Sequence, residues 1–187
     1  GVEGAAGSMC QSALLEQLPE ALPRDTAALL IHAVNPWGFA HDRRVNENNV
    51  DMNRNFLGDF STTPDNPGYM QLHPAICPPE WTEKTQAQAR AAMRAFAEQH
   101  GAAALQSALS AGQYVLPHGV YYGGKAPEWS NKVMHDILAT LPQSVQRTIF
   151  IDIHTGLGPF GIGELILEIP NHHPVAALAR NIFPEGV

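Results

Sequence analysis

Two apolar runs limit the folds open to this chain more than any other feature of its sequence. "AALLIHAVN", residues 27–35, is a continuous apolar stretch ended by Asn35-Pro36. A run of that length and character reads as a strand buried on both faces, and such strands belong to parallel or mixed sheets covered by helices on each side. "TIFIDI", 148–153, reads as a second strand, and "ELILEI", 164–169, as a third after a glycine-rich loop. Strands separated by helical segments predict an α/β three-layer sandwich with a mixed, largely parallel central sheet flanked by helices. The 187 residues suffice for one such domain spanning 1–187.

The helical segments are read from periodicity and punctuation. "GSMCQSALLEQL" predicts a short amphipathic helix ending before Pro19. The alanine-rich stretch from Thr82 predicts two helices broken near Gly101, with Met93, Phe96 and Leu105 in the core. Another helix starts near Pro127 after a turn at Gly123-Gly124, and "HPVAALARNIF" predicts the last. Between them, residues 35–80 are rich in proline, glycine and asparagine without periodicity, which predicts a long functional loop region. His32 reads as a hydrogen-bonded core histidine, and His172-His173 as a solvated pair.

Charge and cysteine content exclude several functions. The net charge of -7 has no basic block against it, which argues against a nucleic-acid or membrane surface. Cys10 and Cys77 are far apart and lack metal-ligand spacing, so they read as small buried side chains. No apolar run approaches the roughly 20 residues that span a bilayer, and no signal peptide opens the chain, which predicts a cytoplasmic protein. No G-x-S-x-G elbow occurs, and "GLGPFGIG" does not open a helix as a phosphate loop does.

Chemistry concentrates in "RRVNENNVDMNRNFLGDF", residues 43–60. Lysine and glutamate solvate a surface equally well, so a preference for arginine and asparagine points to anion binding. Arg44 and Arg54 each present a planar fork suited to a carboxylate, and Asn53 and Asn55 add neutral donors and acceptors. Asp51 supplies a carboxylate able to orient a metal-bound imidazole. His154 follows the strand 148–153, where an imidazole is well placed as a ligand, and Glu3 lies in the flexible "GVEG".

"NPWGFAHDRRVNENNVDMNRNF" is similar to the "NPDG … R-x-N … VDLNRNF" signature of M14-type zinc carboxypeptidases. "GVEGAAGS" resembles the tail of their H-x-x-E zinc motif, and "DIHTGLGP" the position of their third zinc ligand. Together with "YYGGKAPEWSN", the pattern looks closest to the bacterial M14-like branch termed DUF2817, over nearly the whole chain. The resemblance implies Zn2+ held by Glu3 and His154, with Asp51 behind a ligating histidine. It implies that Arg44 polarises the scissile carbonyl and that Asn53 and Arg54 hold the substrate's terminal carboxylate. Arg43 also fits the oxyanion role, but the R-x-N spacing selects Arg44, as in Arg44-Val45-Asn46.

Two departures from the pattern accompany it. The family's first zinc-ligand histidine would precede Gly1, and its general-base glutamate would follow Val187. The chain is therefore expected to be an incomplete domain, inactive alone, with Glu164 a site-proximal or structural glutamate rather than the base. For the intact protein the implied activity is hydrolysis of an amide bond next to a free carboxylate, with a peptide or N-acyl amino acid as substrate. An N-acyl amino acid deacylase of the aspartoacylase and succinylglutamate desuccinylase type is the alternative. A non-catalytic carboxylate-binding module is a further one.

Overall fold

In the computed structural model, residues 4–155, 161, 162, 166 and 172–182 are described. They form two compact units, Gly1–Ile153 and His154–Val187, each of which is treated by itself.

The described part of the first unit is built from helices, several of them started by a side-chain cap. The element α1 covers Gly4–Leu15, α2 Leu18–Ala21, α3 Pro36–Ala40 and α4 Met52–Asn55. They are followed by α5, Pro67–Ile76, α6, Glu83–His100, α7, Ala102–Ser110, and α8, Trp129–Ala139. Thr82 starts α6 with a reciprocal capping box: its side chain accepts from the Thr85 amide, and the Thr85 hydroxyl accepts from the Thr82 amide. Gly101, at φ 90°, ends α6 and opens α7, so the expected pair of helices broken there is present.

The region 35–80 holds more helix than its sequence suggests. In α5 the side chain of Asn66 caps the Tyr69 amide and Pro67 occupies the first turn. Tyr69, Leu72 and Ile76 then recur on one face, a periodicity masked by the internal Pro74. Leu72 packs with Phe96 of α6 and Ala108 of α7, and Ile76, Ala104, Leu105 and Leu109 surround that cluster. This three-helix corner is the larger apolar core. A smaller one of Val50, Met52 and Tyr122 lies under the candidate site.

The expected central sheet is overturned. Among the described residues no strand forms, and the single β-bridge is an isolated parallel one between Gln113 and Tyr122. Residues 27–33 and 148–153 carry no helix or ladder. A run becomes a strand only by exchanging main-chain hydrogen bonds with a neighbour, and apolar composition reports a tendency to burial, not the presence of that neighbour. Leu29, Ile149, Phe150 and Ile151 are exposed, the last at 67%. The third expected strand, 164–169, falls outside the described residues apart from Ile166, as does Glu164.

Other expectations divide. His32 is exposed rather than in a core, with its Nδ1 2.6 Å from the Ser8 hydroxyl of α1. Cys10, on α1, is exposed and Cys77 half-buried, both free thiols, so the expected pair of buried cysteines is not found. In the second unit, α9 covers Pro174–Ile182, with Ala176 fully buried and His172 and His173 exposed as expected.

Candidate functional site

The loop 43–55 is held in shape by its own asparagines. Asn35 accepts from the Gly38 amide at the start of α3, and its Nδ2 donates to the Arg44 carbonyl at 3.4 Å. Asn46, 4% exposed, accepts from the amides of Asn48 and Val50. Its Nδ2 donates to Glu128 Oε2 at 2.8 Å, as does that of Asn48 at 2.7 Å. Asn49, at φ 60°, donates to the carbonyls of Pro117 and Gly119. Asparagine tolerates that left-handed backbone better than most residues, and its short amide bonds locally.

Asn55 is the centre of this network. Its side chain is fully buried and donates to the carbonyls of Gly123 and Ala126, at 2.8 and 3.0 Å, while its Oδ1 accepts from the Glu128 amide. The Asn131 side chain of α8 in turn donates to the Asn55 carbonyl at 2.7 Å. The amide read from sequence as a reserve of donors for a ligand is thus spent on main chain. Glu128 and Asn131 escape sequence reasoning, as does the structural use of Asn55, because their bonds to one another span 73 and 76 positions; the density of asparagine between 46 and 55 was the one available signal.

On this frame sit the charged residues. Asp51, 2% exposed, begins α4: its Oδ1 accepts from the Asn53 amide at 3.0 Å, and its own amide donates to the Tyr122 carbonyl at 2.7 Å. Its Oδ2 accepts from Arg44 Nε at 3.0 Å. The Arg44 side chain is 31% exposed, and its guanidinium carbon stands 5.0 Å from the centre of the Tyr121 ring. Tyr121 adopts φ 55°, an unusual backbone for an aromatic residue at a site edge.

Arg54 is held differently. Its Nη1 donates to the Asn53 carbonyl at 2.9 Å and its Nη2 to the carbonyl of Ser110, at the C-terminus of α7, where a cation meets the negative end of a helix. Its Nε is buried without a hydrogen-bond partner. Among the described residues no carboxylate pairs with it. The Tyr114 hydroxyl donates to the Arg54 carbonyl at 2.7 Å, and burial raises the Tyr114 phenol above its ordinary value against the opposing pull of Arg54. Asp51 also acts on that phenol, so Tyr114 lies within reach of both charges. Asn53 is exposed on α4.

Of the residues expected at the site, Arg44, Asp51, Asn53 and Arg54 share one short segment of the first unit. His154 is exposed and belongs to the second unit, and Glu3 lies outside the described residues. Among the described residues no three histidine, cysteine, aspartate or glutamate side chains gather to hold a metal ion. Asp51 already accepts one hydrogen bond on each oxygen.

The family described as "Protein of unknown function (DUF2817)" matches residues 1–187. The chain belongs to the DUF2817 family. No curated protein and no solved structure matches it. Among the described residues of this DUF2817 chain, no helix is long and apolar enough to cross a membrane.

Proposed function

We propose that the intact DUF2817 protein is a hydrolase that cleaves an amide bond next to a free carboxylate. Arg54 and Asn53 bind that carboxylate, and Arg44 complements the charge that develops on the scissile carbonyl oxygen. The observation that carries this reading is Arg54: a guanidinium set against two main-chain carbonyls and, among the described residues, no carboxylate. A charge left without a counter-ion in a half-buried position favours an anionic ligand. Arg44 supports it, because a buried Asp51 holds the guanidinium through Nε and so fixes the plane of its fork.

The metal implied by the resemblance to M14 enzymes, zinc, belongs to this reading as an expectation, and the roles of Arg44, Asn53 and Arg54 are the same whatever activates the attacking water. The test compares turnover of peptides and N-acyl amino acids that end in a free carboxylate with that of their C-terminal amides, with metal analysis of the same preparation. Cleavage confined to free carboxylates, lost in Arg44→Ala, supports the reading. Preference for peptides over N-acyl amino acids marks a carboxypeptidase, and the reverse a deacylase. Equal cleavage of acids and amides, or activity that survives Arg44→Ala and Arg54→Gln, overturns it.

A further inference from the structure

A cavity of about 280 Å³ opens beside the asparagine frame, where the start of α3, the turn at 46–47 and the start of α8 meet. Its walls include Asn35, Trp37, Asn46, Glu47, Trp129 and Ser130. Two tryptophans there are solvent-exposed, Trp37 at 37% and Trp129 at 58%. Trp37 packs one side against the His41 ring, 4.6 Å between centroids, and still leaves indole surface to solvent, as Trp129 does to a greater extent; two exposed indoles from different helices thus line one small cavity.

The charge of the walls is one-sided. Glu47 is exposed and lines the cavity, and no lysine or arginine does. Behind the wall, the Glu128 carboxylate accepts from the side chains of Asn46 and Asn48, so the half-buried charge bonded to Asn46 is also negative. Arg44, the nearest arginine in sequence to Asn46, turns its side chain to Asp51 and Tyr121. Indole rings together with a carboxylate attract a cation that carries an apolar collar, by ring quadrupole, by charge and by contact area together. The volume is below the roughly 300 Å³ at which drug-sized pockets begin, so the guest is the size of a side chain or a small head group.

From this we infer that the cavity is a binding site for an organic cation, an alkylammonium or guanidinium group. The asparagines fix the walls: Asn35 and Asn46 use their side chains on main chain and on Glu128, so the cavity is built before a ligand arrives. The inference stands apart from the hydrolase reading, since it uses neither Arg44 nor Arg54.

The test is a titration of the protein with choline, and with the neutral isostere in which carbon replaces the ammonium nitrogen, followed by the indole N–H resonances. Trp37→Phe, Trp81→Phe and Trp129→Phe assign the signals. Choline is expected to shift the Trp37 and Trp129 signals and leave Trp81 unmoved, with the isostere much weaker. Glu47→Gln and Trp129→Phe should each weaken choline by about two- to fivefold; both positions are exposed, so folding is not at stake. Nα-acetyl-lysine separates the sources of the cation. Tighter binding than choline, lost in Arg54→Gln, means that the cavity reads a substrate's basic side chain, and equal binding means a free ammonium. Equal shifts from choline and its isostere, or no shift at either tryptophan, overturn the inference.

Discussion

Arg44 donates from Nε to Asp51 Oδ2 at 3.0 Å while the other oxygen of the same carboxylate caps α4, so one buried group both orients the arginine and starts the helix that carries Arg54. Removing it strikes both functions. Asp51→Ala should cost about 2 to 4 kcal/mol, the sum of a lost cap and a cation left without its partner. Asp51→Asn keeps an oxygen for the Asn53 amide and should cost less, about 1 to 2 kcal/mol, since Arg44 is partly screened by solvent. Urea unfolding at unchanged slope measures both. Equal costs would mean that the cap dominates and the ion pair contributes little.

Asn55 carries the long-range closure of the loop. Asn55→Ala leaves the carbonyls of Gly123 and Ala126 and the amide of Glu128 without their side-chain partner in a fully buried place. The expected loss is more than about 3 kcal/mol. The same unfolding experiment checks it, and a loss under about 1 kcal/mol would show that water replaces the side chain.

How far the sequence was legible depends on the range of the interactions concerned. The break at Gly101 and the helix start at Thr82 are local, written within a few residues, and both are present. So is the concentration of Arg44, Asp51, Asn53 and Arg54 in one segment. The sheet is another matter: "AALLIHAVN" and "TIFIDI" have strand composition, yet pairing is a property of two segments, and among the described residues neither run joins a β-ladder. The helix α5 was hidden by a proline inside it, although Asn66 and Pro67 mark its start. The use of Asn55 on Gly123, Ala126 and Glu128 was invisible because nothing near Asn55 in sequence announces those partners.

Two glycines hold the far side of the site open. Gly112 has φ 93°, and a Cβ there would lie 2.5 Å from Arg54 Cδ. Gly112→Ala should therefore cost about 1 to 2 kcal/mol for the backbone alone, with further loss from the displaced arginine. Gly123 packs flat against Tyr114, whose ring a Cβ would overlap. Gly123→Ala should cost about 1 to 3 kcal/mol, and it should also disturb Arg54, because the Tyr114 hydroxyl bonds the Arg54 carbonyl. Thermal unfolding of the two variants checks these values, and a neutral effect at either position contradicts the packing described.

Stability should fall at alkaline pH. Tyr69 is fully buried, and burial pushes its phenol up, with Cys77 adding to the effect across 3.9 Å. Tyr114 and Tyr122 are shifted the same way, burial first in each. A phenol raised in the folded state gives stability that is complete below the unfolded value of about 10 and is lost as pH climbs through the folded value. Denaturant midpoints should thus hold to about pH 10 and drop beyond it, and Tyr69→Phe should soften that drop. An unchanged slope in Tyr69→Phe would assign the loss to other groups.

The most direct measurement is the affinity of an N-acetyl amino acid compared with that of its C-terminal amide, by calorimetry, on the protein and on Arg54→Gln. The ratio is internally controlled, since both ligands meet the same preparation of each variant. The protein is expected to prefer the acid by about tenfold or more, the worth of a charge-assisted hydrogen bond, and Arg54→Gln should bring the ratio close to one. An acid and an amide bound equally by the protein, or a preference that survives in Arg54→Gln, would contradict the assignment of this arginine to a substrate carboxylate.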